Sequence, residues 1–245
     1  MSHHHHCCHH GHAHHHHQHK DYATANKEHF TAQLSDFDNP KYTELARRAA
    51  AAMRKQYAFD EESTVLMDFA CGAGHISRQL APHTKSIVGV DITQAAVDLY
   101  NQRVLNQGIP PEEMRAVCVE LKGEEGELGG LKFDVIICSM SYHHFESVEG
   151  ITRTLSFFLK PGGALLVLDI LNTLEGTQDT SGTGKTLFDE KFHHIVAHTS
   201  GFKEDQIRSM YEGAGLTCSM FDTMKARYHG QDRTFFLAKG TKAAS

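Results

Sequence analysis

Two glycines, two aspartates and a pair of adjacent histidines carry the chemistry that this sequence can be read for. The run Met67-Asp68-Phe69-Ala70-Cys71-Gly72-Ala73-Gly74 closes an apolar segment and leads straight into a helical pattern. In that arrangement the backbone approaches a ligand closely while helix N–H groups point at it. A cofactor with a polar or anionic end belongs there. The next apolar segment ends at Asp91, where a carboxylate is positioned to accept both hydroxyl hydrogens of a ribose. Together these features indicate an adenosine-type cofactor. Ser77 stands where the dinucleotide fingerprint has its third glycine, the one that permits close helix–sheet packing, which counts against NAD. Further on, Ser139-Met140-Ser141-Tyr142-His143-His144 follows another apolar run and brings two imidazoles and a phenol to the same crevice.

Those groups need elements to hold them. TVLMDF (Thr64 to Phe69), SIVGVD (Ser86 to Asp91), MRAVCVEL, FDVIICSM and ALLVLDI read as strands, separated by helical patterns in HISRQLAPH, in TQAAVDLYNQRVLNQG, and from about Glu146 to Leu159. Thr93 is a candidate N-cap and Gly108 a stop for the second of these helices. Strands this apolar, alternating with helices, imply a parallel sheet covered on both faces. Residues Asp21 to Tyr57 suit one or two helices, with Leu45, Ala49, Ala52 and Met53 at helical spacing. The end reads as a helix from Lys203 to Ala214, a strand over Thr217 to Met224 and a last strand over Thr234 to Lys239. A turn through Gly230-Gln231-Asp232 pairs these two antiparallel. Leu171 to Glu190 is polar and Gly/Thr-rich, a loop or lid.

The ordered set of Asp68-x-x-Cys71-Gly72-x-Gly74, Asp91, FDVIICSM and Leu159-Lys160-Pro161-Gly162-Gly163 resembles the class I S-adenosylmethionine-dependent methyltransferases, over about residues 40 to 240. The resemblance implies an α/β fold: a Rossmann-like, doubly wound, mostly parallel seven-stranded sheet with a C-terminal antiparallel strand pair. It implies S-adenosyl-L-methionine as cofactor, held by Asp68, Ala70, Cys71, Gly72 and Gly74 at its methionine part and by Asp91 and Ile92 at its ribose. Glu120 falls near the adenine and Ser139 at the end of the fourth strand. Ala70 replaces a glycine of many members, a small-for-small exchange that leaves backbone access open. The His-His pair is similar to that of the ubiquinone/menaquinone-biosynthesis type of small-molecule methyltransferase. His143, His144 and Tyr142 are accordingly the catalytic candidates, with His143 slightly ahead as general base; alternatively one histidine only caps the helix near Glu146.

A methyl sulfonium is already electrophilic, so the protein must mainly align a nucleophile and take its proton. The chain has 245 residues with 24 Lys plus Arg against 30 Asp plus Glu, a net charge of −6, which argues against nucleic acid as partner. The absence of an Asn/Asp-Pro-Pro-Tyr/Phe signature points the same way, and the expected partner is a small-molecule acceptor. No apolar run suits a membrane span, the dispersed cysteines suit a reducing compartment, and a cytoplasmic protein is expected. Cys71, Cys118 and Cys138 read as core thiols. Ser181-Gly182-Thr183-Gly184-Lys185-Thr186 only imitates a phosphate loop, since Asp179 stands where that motif needs glycine. His193, His194 and His198 read as packing around Phe192, Ile195 and Val196, while Tyr22, Phe30 and Tyr42 are placed to close over the pocket.

Residues 1–20 form a separate tail holding twelve of the 21 histidines. It lacks a structural zinc spacing and is expected to be disordered, binding Zn, Ni or Cu adventitiously. No residue of the body is assigned to a metal. The domain proper is 21–245, with N-terminal helices over 21–60 and the lid over 171–190. Protein or RNA methylation, and a metal-handling role for the tail, are the competing functions.

Overall fold

The computed structural model describes residues 21–174, 186–228 and 230–244. The histidine-rich tail, the imitation phosphate loop up to Lys185 and most of the expected lid therefore lie outside the described residues. Five parallel strands, β1 (Val65–Phe69), β2 (Ser86–Asp91), β3 (Met114–Cys118), β4 (Phe133–Ser139) and β5 (Leu159–Ile170), are followed by the antiparallel pair β6 (Leu216–Tyr228) and β7 (Gln231–Lys242). The sheet order is β3-β2-β1-β4-β5-β7-β6. Strand order reverses between β1 and β4, so the loops leaving their carboxyl ends diverge to opposite faces and open a crevice between them.

Helices cover both faces. Alternate residues of each strand point to opposite sides: Leu66 of β1 joins a cluster with Leu45, Ala49 and Met53 of α2 (Pro40–Gln56) and Val97 and Val104 of α4 (Gln94–Asn106). Its neighbour Met67 joins Leu155 and Phe158 of α5 (Val148–Phe158) and Ile207 and Tyr211 of α6 (Glu204–Gly213). The helical spacing of Leu45, Ala49 and Met53 thus becomes the buried stripe of α2, as expected from the sequence. The N-terminal region is two helices, α1 (Tyr22–Ala32) and α2, joined by a tight helical turn at Leu34–Asp38.

Several boundaries differ from the sequence reading. Strand β5 begins at Leu159 instead of Ala164, because Phe133 pairs with Leu159 before a register shift, and the chain bulges through Pro161-Gly162-Gly163, with Gly162 left-handed, to resume pairing at Ala164. The final hairpin is longer than its apolar residues suggest: pairing reaches Tyr228↔Gln231, so Gln231 and Asp232 are strand, not turn. Thr93 is the N-cap of α4 by position but makes no side-chain cap bond. The described flanks of the loop over 171–190 are partly packed, with Leu187 and Phe188 buried. Cys71 and Cys138 are buried as expected; Cys118 is exposed, because β3 is the edge of the sheet and Cys118 its last residue.

Candidate active site

A cavity of about 590 Å³ opens at the carboxyl ends of β1, β2 and β4, roofed by α1 and α2. The register explains the convergence. Phe69 pairs with Val90 on one side and Cys138 on the other, so Ala70–Gly74, Asp91 and Ser139 leave the sheet at one level. All of the expected cofactor residues line the cavity except Gly74. Gly74 acts from behind, as the left-handed N-cap of α3 (His75–Leu80).

The loop after β1 turns through left-handed conformations at Ala70 (φ +55°), Gly72 (+50°) and Gly74 (+77°). Ala70 is therefore more than a size exchange: an L-residue with a Cβ occupies a conformation that favours glycine. A Cβ on Gly72 would approach Phe37 Cε1 at 3.0 Å, and one on Gly74 would collide with Tyr100 Cδ2 at 2.6 Å. Asp91 fixes the loop from the next strand, its Oδ2 accepting the Gly72 N–H at 2.9 Å and its Oδ1 the Thr93 N–H at 2.8 Å. The Ser77 hydroxyl donates to Asp68 Oδ2 at 2.5 Å. Burial pushes the Asp68 carboxyl up to about 7, against the downward pull of that bond. Burial likewise raises Asp91 and holds Cys71 as a neutral thiol, which removes it as a nucleophile.

At the end of β4, Met140 adopts φ +57° and its N–H donates to the Leu168 carbonyl, which swings the following turn Tyr142–His144 over the crevice. His143 (1 % exposed) meets Asp169 (0 % exposed) from the end of β5. The His143 Nδ1–H donates to Asp169 Oδ1 at 2.7 Å, and the His143 backbone N–H donates to Oδ2 at 3.2 Å. The His143 carbonyl in turn accepts the Ala197 and His198 N–H groups at 2.8 and 3.1 Å. A proton held on Nδ1 by a carboxylate leaves Nε2 as the basic nitrogen. His144 lies beside it, ring centroids 4.2 Å apart, its Nδ1–H donating to the Ile195 carbonyl at 2.7 Å. Burial, reinforced by neighbouring His143, keeps His144 well below the usual imidazole range and so neutral.

Tyr142, expected at the crevice, is not there. Its ring is wholly buried in the opposite layer against Phe145 and Phe202, and its hydroxyl meets Thr152 Oγ1 at 3.1 Å. Adjacent residues of a tight turn project in different directions, and the larger apolar ring takes the core. His193 and His198 bond the Phe188 and Phe145 carbonyls, and neither they nor His194 line the cavity, whereas Phe192, Ile195 and Val196 do. Tyr22, Phe30 and Tyr42 all line it. Sequence reasoning missed Asp169, whose signal was an acid ending the apolar run ALLVLDI, and Asn26, which carried no signal within its polar helix. Among the described residues no group of three or more His, Cys, Asp or Glu side chains is arranged to hold a metal ion, and no helix is long and apolar enough to cross a membrane.

Residues 42–219 match the family described as the methyltransferase domain. The chain belongs to that family. The chain is 36% identical over 158 residues to an uncharacterized methyltransferase of Schizosaccharomyces pombe, covering 62% of this chain and 53% of that protein. It is 24% identical over 110 residues to a ubiquinone biosynthesis O-methyltransferase of Haemophilus ducreyi, covering 45% and 47% respectively. The chain thus spans about half the length of these curated relatives. Among solved structures it resembles the magnesium protoporphyrin IX methyltransferase of Synechocystis with bound SAH, at a TM-score of 0.66 and 15% identity over 91% of this chain and 100% of that one. That likeness is one of fold, and it agrees with the seven-stranded sheet expected from the sequence.

The residues present fit that cofactor. Asp68 is a buried carboxyl without a cationic partner, suited to an ammonium; Asp91 retains lone pairs for a vicinal diol; Ser139 Oγ is buried without a partner among the described residues.

Proposed function

We propose that this chain methylates a small-molecule acceptor with S-adenosylmethionine, using His143 as general base and Asp169 as the residue that positions it. The observation that carries this reading is the opening of the glycine loop, Asp91 and the Asp169-backed imidazole into one cavity. When bound, S-adenosylmethionine would supply an electrophilic sulfonium methyl, and the chain's own part would be to align the acceptor and take its proton. His143 takes the acceptor's proton at Nε2, while Asp169 keeps Nδ1 protonated and stabilises the imidazolium that forms. His144 stays neutral beside it and packs against Phe30. The helices α1 and α2, with Phe188, exclude water from the reacting atoms. A crevice roofed by α1 and α2 favours a small acceptor over a polymer, and the net charge of −6 argues against RNA.

The test combines binding with turnover. Calorimetry should show micromolar binding of S-adenosylmethionine and its demethylated product, weakened at least about tenfold, roughly 1.4 kcal/mol, by Asp91→Asn. Methyl transfer to a panel of small hydroxylated compounds should be lost in His143→Gln while product affinity is retained. No cofactor binding by the folded chain would refute the reading.

A further inference from the structure

Asp68 and Asp91 lie near the ends of the adjacent strands β1 and β2, and both line the cavity. They are held differently. Asp91 Oδ2 accepts the Gly72 N–H at 2.9 Å and Oδ1 the Thr93 N–H at 2.8 Å. A backbone donor on each oxygen suits an ionised carboxylate. Asp68 is 4 % exposed, and its donors come from Ser77 alone, whose hydroxyl reaches Oδ2 at 2.5 Å.

Every titratable group that faces Asp68 is an acid, whichever element it comes from: Asp91 of β2, Cys71 of the glycine loop, Cys138 of β4 and Tyr100 of α4. Burial holds the two thiols and the phenol neutral. Among the described residues that line the cavity there is no lysine and no arginine. Its histidines are engaged elsewhere. His75 donates from Nε2 to the Phe37 carbonyl and accepts from Arg78 at Nδ1. His143 and His144 are bonded to Asp169 and to the Ile195 carbonyl, and His29 lies among the rings of Phe30, Phe192 and His194. No cation among the described residues acts on Asp68. A buried carboxyl without a counter-charge keeps its proton, because the bare anion is too costly to desolvate. Burial accordingly pushes Asp68 up to about 7, with Asp91 adding to the rise against the donors of Ser77.

We propose that the empty site holds a proton on Asp68 and that the cofactor's ammonium displaces it, so that cofactor binding releases a proton and acid disfavours the loaded state. This rests on the S-adenosylmethionine reading above. The Asp68 O–H bond breaks, the proton passes to solvent, and the carboxylate left behind pairs with the ammonium; nothing is oxidised or reduced. Of two neighbouring acids, the one fastened by backbone N–H groups stays ionised for the ribose, and the other exchanges a proton for a ligand cation.

The test is calorimetric titration of the full chain with S-adenosylhomocysteine between about pH 6 and pH 8, in two buffers of different ionisation enthalpy, which counts the protons released. Affinity should be about tenfold lower at the acid end, with about three quarters of a proton released per ligand near pH 6.5 and about a tenth near pH 8. Methylthioadenosine, which keeps the nucleoside and the thioether but has no ammonium, should bind equally at both ends and release no proton. In Asp68→Asn the pH slope for S-adenosylhomocysteine should vanish. The methylthioadenosine comparison uses the unaltered chain, so it stands even where the variant fails to fold. An affinity for S-adenosylhomocysteine that does not change with pH overturns the proposal, as does equal proton release by methylthioadenosine or a slope that survives Asp68→Asn. Failure to bind S-adenosylhomocysteine at any pH brings down the underlying reading instead.

Discussion

At the residue scale, the buried acids determine how the site responds to pH. Asp68 has its carboxyl pushed up to about 7 by burial, above the ordinary value of an exposed aspartate. A group raised in this way adds stability that is fully present below the unfolded pKa and is lost as pH rises through the folded one. The ligand-free chain should therefore lose stability between about pH 4 and pH 7, by up to about 4 kcal/mol from this residue. Asp68→Asn, which still accepts from Ser77, should flatten that slope; denaturant midpoints measured across the range check it. Asp169 acts on the neighbouring chemistry. In Asp169→Asn the amide N–H₂ presented to His143 Nδ1 favours the wrong tautomer, and turnover should fall at least about a hundredfold. A merely structural role would also change affinity for the demethylated cofactor, which should stay within about twofold while turnover falls. At Ala70, the left-handed φ of +55° predicts that Ala70→Gly stabilises by about 0.5 to 1 kcal/mol, the relief of strain being partly offset by glycine's entropy. A thermal melt reads that gain directly.

At the scale of elements, the loop between β1 and α3 works because α4 sits hard against it. Gly74 and Gly108 are both left-handed glycines, with φ of +77° and +67°, but a Cβ on Gly74 would meet Tyr100 at 2.6 Å while one on Gly108 would meet nothing within 4 Å. Gly108→Ala should cost only about 1 kcal/mol, the backbone term alone. Gly74→Ala should cost roughly 2 to 4 kcal/mol because Tyr100 is wholly buried and cannot move aside, and it should weaken cofactor binding at least about tenfold. Equal costs at the two positions, measured by urea unfolding, would show that crowding by α4 is irrelevant. The roof is coupled to the same loop: Arg103 of α4 bonds the Ala73 carbonyl and pairs with Asp38, and Phe37 lies over Gly72.

At the scale of the whole molecule, the sheet and the N-terminal helices contribute opposite walls of a single cavity, so occupancy should stabilise the entire domain and not one lobe. S-adenosylhomocysteine at about a hundred times its dissociation constant should add about 2.7 kcal/mol. For a chain of this size that is a rise in the thermal midpoint of roughly 5 to 10 °C. Two transitions, only one of them shifted by ligand, would contradict a single cooperative unit.

Much of this protein is set by local pattern. The bounds of β2, the buried stripe of α2, the glycine loop and the acid at Asp91 are all legible, because each rests on a short apolar run or on a backbone conformation few residues tolerate. Strand β5 starts earlier than its apolar core because pairing with Phe133, not propensity, extends it through Pro161 and the glycines. Cys118 is exposed only because β3 lies at the edge of the sheet, an order that no single strand encodes. The histidine pair was visible as chemistry, yet the sequence alone does not say that Tyr142 turns into the core while His143 turns to Asp169. Twenty-six positions separate that acid from His143, and only the parallel pairing of β4 with β5 brings the two ends together. Residue types and short-range spacing thus determined which cofactor loop and which candidate base exist. Side-chain direction and long-range adjacency, which depend on how strands are ordered and registered, were decided by the tertiary structure.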